Sequence, residues 1–184
     1  CSADADPEKL GRQTGKRIRR MHDAGIIDAA GYERLLATPI TADVQALSGC
    51  DLVIEAIPEN REMKRDLFAR LDKVVREEAV FASNSSSINP SELMPGNGSR
   101  RQFAGIHFFY PVVMKDIVEV TLAPSTTLET RLKVESFLGA IRRSFITTGE
   151  QHSFLLNRIF LEVQNEAFLI VRQGSCSFSQ MDRL

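Results

Sequence analysis

Apolar residues along this chain follow two alternating periods. Leu10, Thr14, Ile18 and Met21 recur at helical spacing. Asp6-Pro7-Glu8 precedes them and reads as a helix start: a capping Asp, Pro at the first helical position and an acid in the first turn. Gly25 ends this element, Ala30 to Leu36 reads as a second short helix, and Asp43 to Leu47 as a third. Asp51-Leu52-Val53-Ile54-Glu55-Ala56-Ile57 is a near-continuous apolar run, as expected of a strand covered on both faces, and Pro58 stops it. Leu67, Leu71, Val74 and Val75 then give Glu62 to Glu77 a helical stripe.

The alternation continues. Ala79 to Ser83 is the next short strand, followed by the polar turn Asn84-Ser85-Ser86-Ser87. Asn89-Pro90-Ser91-Glu92 opens a short helix by the same cap, Pro and acid logic. Gln102 to Ile106, Ile117 to Leu122 and Ser144 to Thr148 read as strands, with a helix from Ser125 to Arg142. Strand alternating with helix predicts an α/β fold: a mostly parallel sheet with helices on both faces. From Ser153 to Gln173 the pattern becomes one long helix, ended by Gly174. Leu156, Ile159, Phe160, Val163, Ala167, Ile170 and Val171 line one broad apolar face of it, which needs cover from the sheet domain, a partner subunit or further sequence.

Composition narrows the classes. The chain has 184 residues, 43% hydrophobic and 26% charged, enough for one domain and part of a second. A net charge of -1 gives no electrostatic case for a nucleic-acid or anionic-membrane partner. The apolar runs are strand-sized, too short to span a bilayer. There is no secretory pattern at the start, and the chain opens at Cys1 rather than Met, so the expectation is missing upstream sequence. Cys1, Cys50 and Cys176 are far apart and form no C-x-x-C pair, which suggests free thiols in a reducing compartment rather than zinc or disulfides. Cys50, just ahead of a buried strand, reads as packing.

The strongest chemical signal is Phe103-Ala104-Gly105-Ile106-His107-Phe108-Phe109-Tyr110-Pro111, followed by Glu119 inside the next strand. A strand end delivers a side chain into the crevice where open α/β sheets bind ligands. A histidine held by a buried carboxylate is a ready general base. The plain alternative is a strand-capping His and a Glu paired with a surface Arg.

Four segments, in order and spacing, settle between these. Asp51-Leu52-Val53-Ile54-Glu55-Ala56-Ile57-Pro58-Glu59-Asn60, Ala82-Ser83-Asn84-Ser85-Ser86-Ser87, the His107 segment with Glu119, and Phe154-Leu155-Leu156-Asn157-Arg158-Ile159 together resemble the NAD-binding domain of the L-3-hydroxyacyl-CoA dehydrogenase family. The resemblance covers nearly the whole chain. It implies a Rossmann-type domain over residues 1–150, without its first strand and Gly-rich turn, and the first helix of an all-α C-terminal domain over 151–184. It implies NAD-dependent oxidation of an L-3-hydroxyacyl-CoA to the 3-ketoacyl-CoA, in a cytoplasmic protein that is a homodimer at full length.

The resemblance also implies site residues. His107 would be the general base, oriented by Glu119, with Ser86 and Asn157 near the reacting oxygen. Asp4, Ala56, Glu59, Lys64, Ser86 and Tyr110 would contact NAD, Asp4 at the adenosine ribose and the others toward the nicotinamide. Each has a bland alternative: a turn or cap for Ser86, an exposed helix position for Asn157, an ordinary turn acid for Asp4, and a solvated helix start for Glu59 and Lys64. Glu55, inside its strand, reads as structural. Arg17, Arg19 and Arg20 form a basic helix face that suits coenzyme A phosphates or plain solvent.

The chain departs from the family in four ways. The Gly-rich pyrophosphate turn would lie upstream of Cys1, Tyr110 stands where Asn is usual, His152-Ser153 replaces a Pro-Gly pair, and most of the C-terminal domain is missing. The His152-Ser153 change is expected to loosen or redirect the entry to the long helix, and the fragment alone is expected to be inactive. Two rival functions stay open: a related 3-hydroxy-acid dehydrogenase of the L-gulonate type, and a degenerate binding or assembly module.

Overall fold

The computed structural model describes residues 6–94, 102–112 and 114–183. Asp4 lies outside the described residues. Two helices come first, α1 (Pro7–Asp23) and α2 (Ala29–Leu36). The Asp6 carboxylate accepts from the Glu8 N–H at 3.0 Å and Pro7 occupies the first turn, so the start forms as its sequence predicts. Gly25 turns the chain at φ 68°, where a side chain would be strained. A 3-10 turn, Val44–Leu47, leads into the sheet.

The sheet comprises β1 (Leu52–Glu55), β2 (Val80–Ser83), β3 (Gln102–Phe108), β4 (Ile117–Leu122) and β5 (Ser144–Gly149), side by side in that order. Neighbours are parallel except β3 and β4, which are antiparallel. Helices cover both faces. On one, Phe68 and Leu71 of α3 (Arg61–Leu71) and Leu93 of α4 (Pro90–Leu93) pack against Val53, Phe81 and Phe103. The Phe68 ring centre lies 5.5 Å from Phe81 and 4.7 Å from Phe103. On the other, Val134 and Leu138 of α5 (Leu128–Ala140) meet Val80, Ala82, Ala104, Ile106, Val118 and Val120. Cys50 packs at the edge of the first cluster, as its position predicts.

Several boundaries differ from expectation: β3 runs to Phe108 rather than ending at Ile106, so His107 lies inside the strand and not after it. α3 stops at Leu71, and the β-branched pair Val74-Val75, which resists a helical backbone, follows in a turn with Val75 still buried. α5 starts only after Thr127, whose hydroxyl accepts from the Thr130 N–H, and it ends before Arg142 at φ 55°. β1 is not fully covered on both faces. Leu52 and Ile54 are half-buried because α5 lies mainly over β2, β3 and β5, and Leu52 lines a cavity of about 540 Å³ with Leu132 and Phe137.

The long helix α6 (Leu155–Arg172) forms as predicted, followed by α7 (Phe178–Met181). No α6 residue is buried, and Ile159, Phe160 and Val163 stand open to solvent while Leu156, Ala167, Ile170 and Val171 are half-buried, so the predicted apolar face is only partly covered among the described residues. No helix among the described residues is long and apolar enough to cross a membrane.

Candidate active site

The candidate residues gather where β1, β2 and β3 end. In cross-strand register, Glu55 lies beside Ser83, Ser83 beside Gly105, and Gly105 beside Thr121. Gly105 makes a close approach there: an added Cβ would sit 3.1 Å from the Thr121 Cβ and 3.3 Å from the Pro90 Cγ, tight enough that both would have to shift by a few tenths of an ångström. Its absence lets the start of α4 rest on the sheet. Two residue pairs further along, and so on the same face of the strands, His107 faces Glu119 across the antiparallel β3–β4 pair.

His107 is buried, 9% exposed, and its ring lies 4.4 Å from that of Phe109. The expected direct hold by Glu119 is not formed: His107 Nδ1 and Glu119 Oε2 are both buried without a hydrogen-bond partner. The carboxylate's other oxygen is taken, since Glu119 Oε1 accepts from the Leu155 N–H at 2.8 Å, at the first turn of α6. Burial pushes the His107 pKa below its ordinary 6.5, outweighing the opposite pulls of the Glu119 and Glu59 charges. The expectation that the carboxylate would raise it is therefore corrected: Glu119 does pull upward, but desolvation wins.

Glu59 organises the serine turn. Its Oε1 accepts from Ser85 Oγ (2.5 Å), Ser86 N–H (3.0 Å), Ser87 N–H (3.0 Å) and Ser87 Oγ (2.8 Å). Burial raises its pKa, but the Ser85 and Ser87 bonds and the Lys64 charge prevail and hold it below the ordinary carboxylate value. The carboxylate stays ionised at the crevice rim. The Ser86 carbonyl in turn accepts from Asn157 Nδ2 at 3.1 Å, so α6 also grips this turn. Asn157 is half-buried, not a free helix position.

Lys64 overturns its bland alternative. It is 1% exposed, not part of a solvated helix start. Its Nζ donates to Glu55 Oε1 (2.7 Å) and the Ile57 carbonyl (3.1 Å) and pairs with Glu59 Oε2 (3.3 Å). Its charge thus reaches the crevice from beneath. Ala56 is exposed at the end of β1, and its small side chain leaves room above the strand end. Tyr110 is 89% exposed on the bend after β3.

Sequence reasoning missed three contributors. Asn84 ties two strand ends together: its N–H donates to the Glu55 carbonyl (2.8 Å), and its side chain accepts from the Phe108 N–H (2.8 Å), next to His107. Glu150 accepts from Ser91 N–H (2.6 Å) and Ser91 Oγ (2.7 Å). Ser153 is buried and donates to Asn89 Oδ1 (2.7 Å) and the Glu150 carbonyl (2.8 Å). The entry to α6 is therefore pinned by Ser153, one of the two residues standing at the Pro-Gly positions, and Phe154 takes the turn at φ 56°. Only Asn84 carried a signal, as the polar residue directly ahead of the serine run.

Relatives decide the family. Residues 2–151 match the domain described as "3-hydroxyacyl-CoA dehydrogenase, NAD binding domain". The chain belongs to the 3-hydroxyacyl-CoA dehydrogenase family. It is 34% identical to a probable 3-hydroxybutyryl-CoA dehydrogenase of Deinococcus radiodurans, covering 93% of this chain and 63% of the relative. It is 34% identical to the mitochondrial hydroxyacyl-coenzyme A dehydrogenase of Homo sapiens, covering 82% of this chain and 48% of that protein. Among solved structures, (S)-3-hydroxybutyryl-CoA dehydrogenase from Ralstonia eutropha superposes with a TM-score of 0.85 at 29% identity, over 97% of this chain and 63% of that one. The chain thus spans about half to two thirds of these relatives. The family domain is NAD-binding, and the strand ends leave room for such a group, with a small exposed Ala56 beside a rim carboxylate at Glu59.

Proposed function

We propose that the full-length protein oxidises L-3-hydroxyacyl-CoA to 3-ketoacyl-CoA with NAD, in a cytoplasmic homodimer. Residues 1–150 form the NAD-binding domain and 151–184 begin the helical substrate and dimer domain, whose open α6 face supports that division. The observation that carries the reading is the cross-strand His107–Glu119 pair at the sheet crevice, with Ser86 and Asn157 joined beside it.

An alcohol is a poor hydride donor until its proton leaves. NAD supplies the hydride acceptor for C3. His107, held neutral by burial, takes the 3-hydroxyl proton. The new positive charge is then favoured by Glu119 and Glu59, both of which pull the His107 pKa upward. The orphan Glu119 oxygen is the acceptor a protonated Nδ1 needs. Ser86, whose backbone Glu59 and Asn157 hold, would bond the substrate oxygen. Ala56, Glu59, Ser86 and Tyr110 would flank the cofactor, with Lys64 acting through Glu59 and Asp4 at the ribose.

The test is NADH formation by the full-length protein with L-3-hydroxybutyryl-CoA, a longer acyl homologue and L-gulonate, beside His107→Ala. Turnover on the acyl-CoA esters that the variant loses is the expected result. Turnover on L-gulonate alone, or on none of them by folded protein, rejects it.

A further inference from the structure

Glu55 is a charged residue in an apolar strand, 3% exposed, and the proposed chemistry does not use it. Both its oxygens are engaged. Oε1 accepts from Lys64 Nζ (2.7 Å) and the Ile57 N–H (2.5 Å), and Oε2 accepts from Ser83 Oγ (2.6 Å). Buried charges are costly unless paired, and removing one partner strands the other. A strand carboxylate therefore demands a cation, and Lys64 meets that demand from the first turns of α3. The same ammonium is 3.3 Å from Glu59 Oε2, and Glu59 Oε1 holds the Ser85–Ser87 turn by four hydrogen bonds. The series runs without a gap from the floor of the sheet to Ser86, whose carbonyl Asn157 grips from the far side.

We propose that Glu55 is a positioning residue: its buried carboxylate fixes Lys64, which fixes Glu59, which sets the backbone of Ser86 and Ser87. Without Glu55, the Lys64 ammonium loses its nearest counter-charge. It then shifts toward Glu59 or solvent, and Glu59 is drawn off the two amides. Glu55 touches neither cofactor nor substrate and acts only through this relay. Its relevance to turnover rests on the reading of Ser86 given above, but its structural action does not.

The experiment is residue-resolved amide hydrogen exchange on the full-length protein without cofactor or substrate, comparing the wild type with Glu55→Ala and Glu55→Gln. The amides are held by charge-assisted bonds, so Glu55→Ala is expected to speed exchange at Ser86 and Ser87 by about tenfold or more. The Phe81, Ala82 and Ile106 amides in the core strands should keep their protection. Glu55→Gln, which retains an acceptor but loses the charge, should show a smaller rise at the same two amides. It decides the matter if Glu55→Ala does not fold. Unchanged exchange at Ser86 and Ser87 in a folded variant overturns the proposal. So does a rise shared equally with the core strands, the mark of simple destabilisation. A failure of the dehydrogenase reading shows only as absent NADH formation and leaves this result standing.

Discussion

Glu119 faces His107 across β3 and β4, yet its hydrogen bond goes to the Leu155 amide at the start of α6. One carboxylate thus serves two ends. It satisfies an otherwise open N–H at a helix start, where negative charge is favoured, and it stands as the counter-charge to the candidate base. The helix it anchors carries Asn157, which holds Ser86. The base, the helix entry and the serine turn are therefore coupled through Glu119.

Two substitutions separate those roles. Glu119→Gln keeps an oxygen for the Leu155 N–H and removes the charge. Turnover of the full-length protein should fall by roughly 10²-fold, the low end of general-base assistance, with stability little changed. Glu119→Ala removes both, and urea unfolding should show a further loss of about 1.5–3 kcal/mol. Equal stability losses in the two variants would mean the Leu155 bond contributes nothing.

The pH dependence follows from His107. Its folded pKa lies below the ordinary 6.5, chiefly through burial. The neutral base therefore persists below that pH, and the acid limb of kcat/KM should fall at lower pH than for a free histidine. Glu119→Gln removes an upward pull and should move the limb lower still. For stability the sign runs the same way. As pH drops below about 6.5, the unfolded histidine takes up a proton that the folded one refuses, so stability declines toward the folded pKa. His107→Gln should flatten that part of an unfolding-versus-pH curve.

Much of this was legible in the sequence because strand and helix periods are local. The runs around Val53, Phe81, Ile106 and Val120 and the stripe of α6 needed only their own neighbours to be read. The serine turn and the His107–Glu119 pair were legible through their order along the chain. The Glu55–Lys64–Glu59 relay was not. Nothing near Lys64 marks it as buried, because what buries it is a carboxylate nine residues back in another element. The α6 entry escaped for a similar reason. Ser153 is pinned by Asn89, 64 residues earlier, a contact no local pattern carries.

Gly105 offers a test of the packing that brings α4 over the sheet. A methyl group there would lie 3.1 Å from Thr121 Cβ and 3.3 Å from Pro90 Cγ. The Thr121 contact comes from a paired strand with little freedom to yield. Gly105→Ala should cost about 1–3 kcal/mol by denaturant unfolding, as overpacking does. A neutral or stabilising result would mean α4 rests more loosely on β3 than the geometry requires.

Asn157 distinguishes a hydrogen-bonding role from mere placement on the helix. Its Nδ2 donates to the Ser86 carbonyl, on the same peptide group whose Ser87 N–H Glu59 holds. Asn157→Ala removes that donor at a half-buried site, so its effect on stability should stay near 1 kcal/mol. Asn157→Asp keeps the size but replaces the donor with an acceptor. That acceptor faces the Ser86 carbonyl and adds a negative charge near ionised Glu59. If the bond positions Ser86, Asn157→Asp should lower kcat of the full-length protein more than Asn157→Ala does. If the side chain only fills space, Asp, being nearly isosteric, should be the milder change. The order of the two variants therefore decides between the readings, whatever the absolute rate.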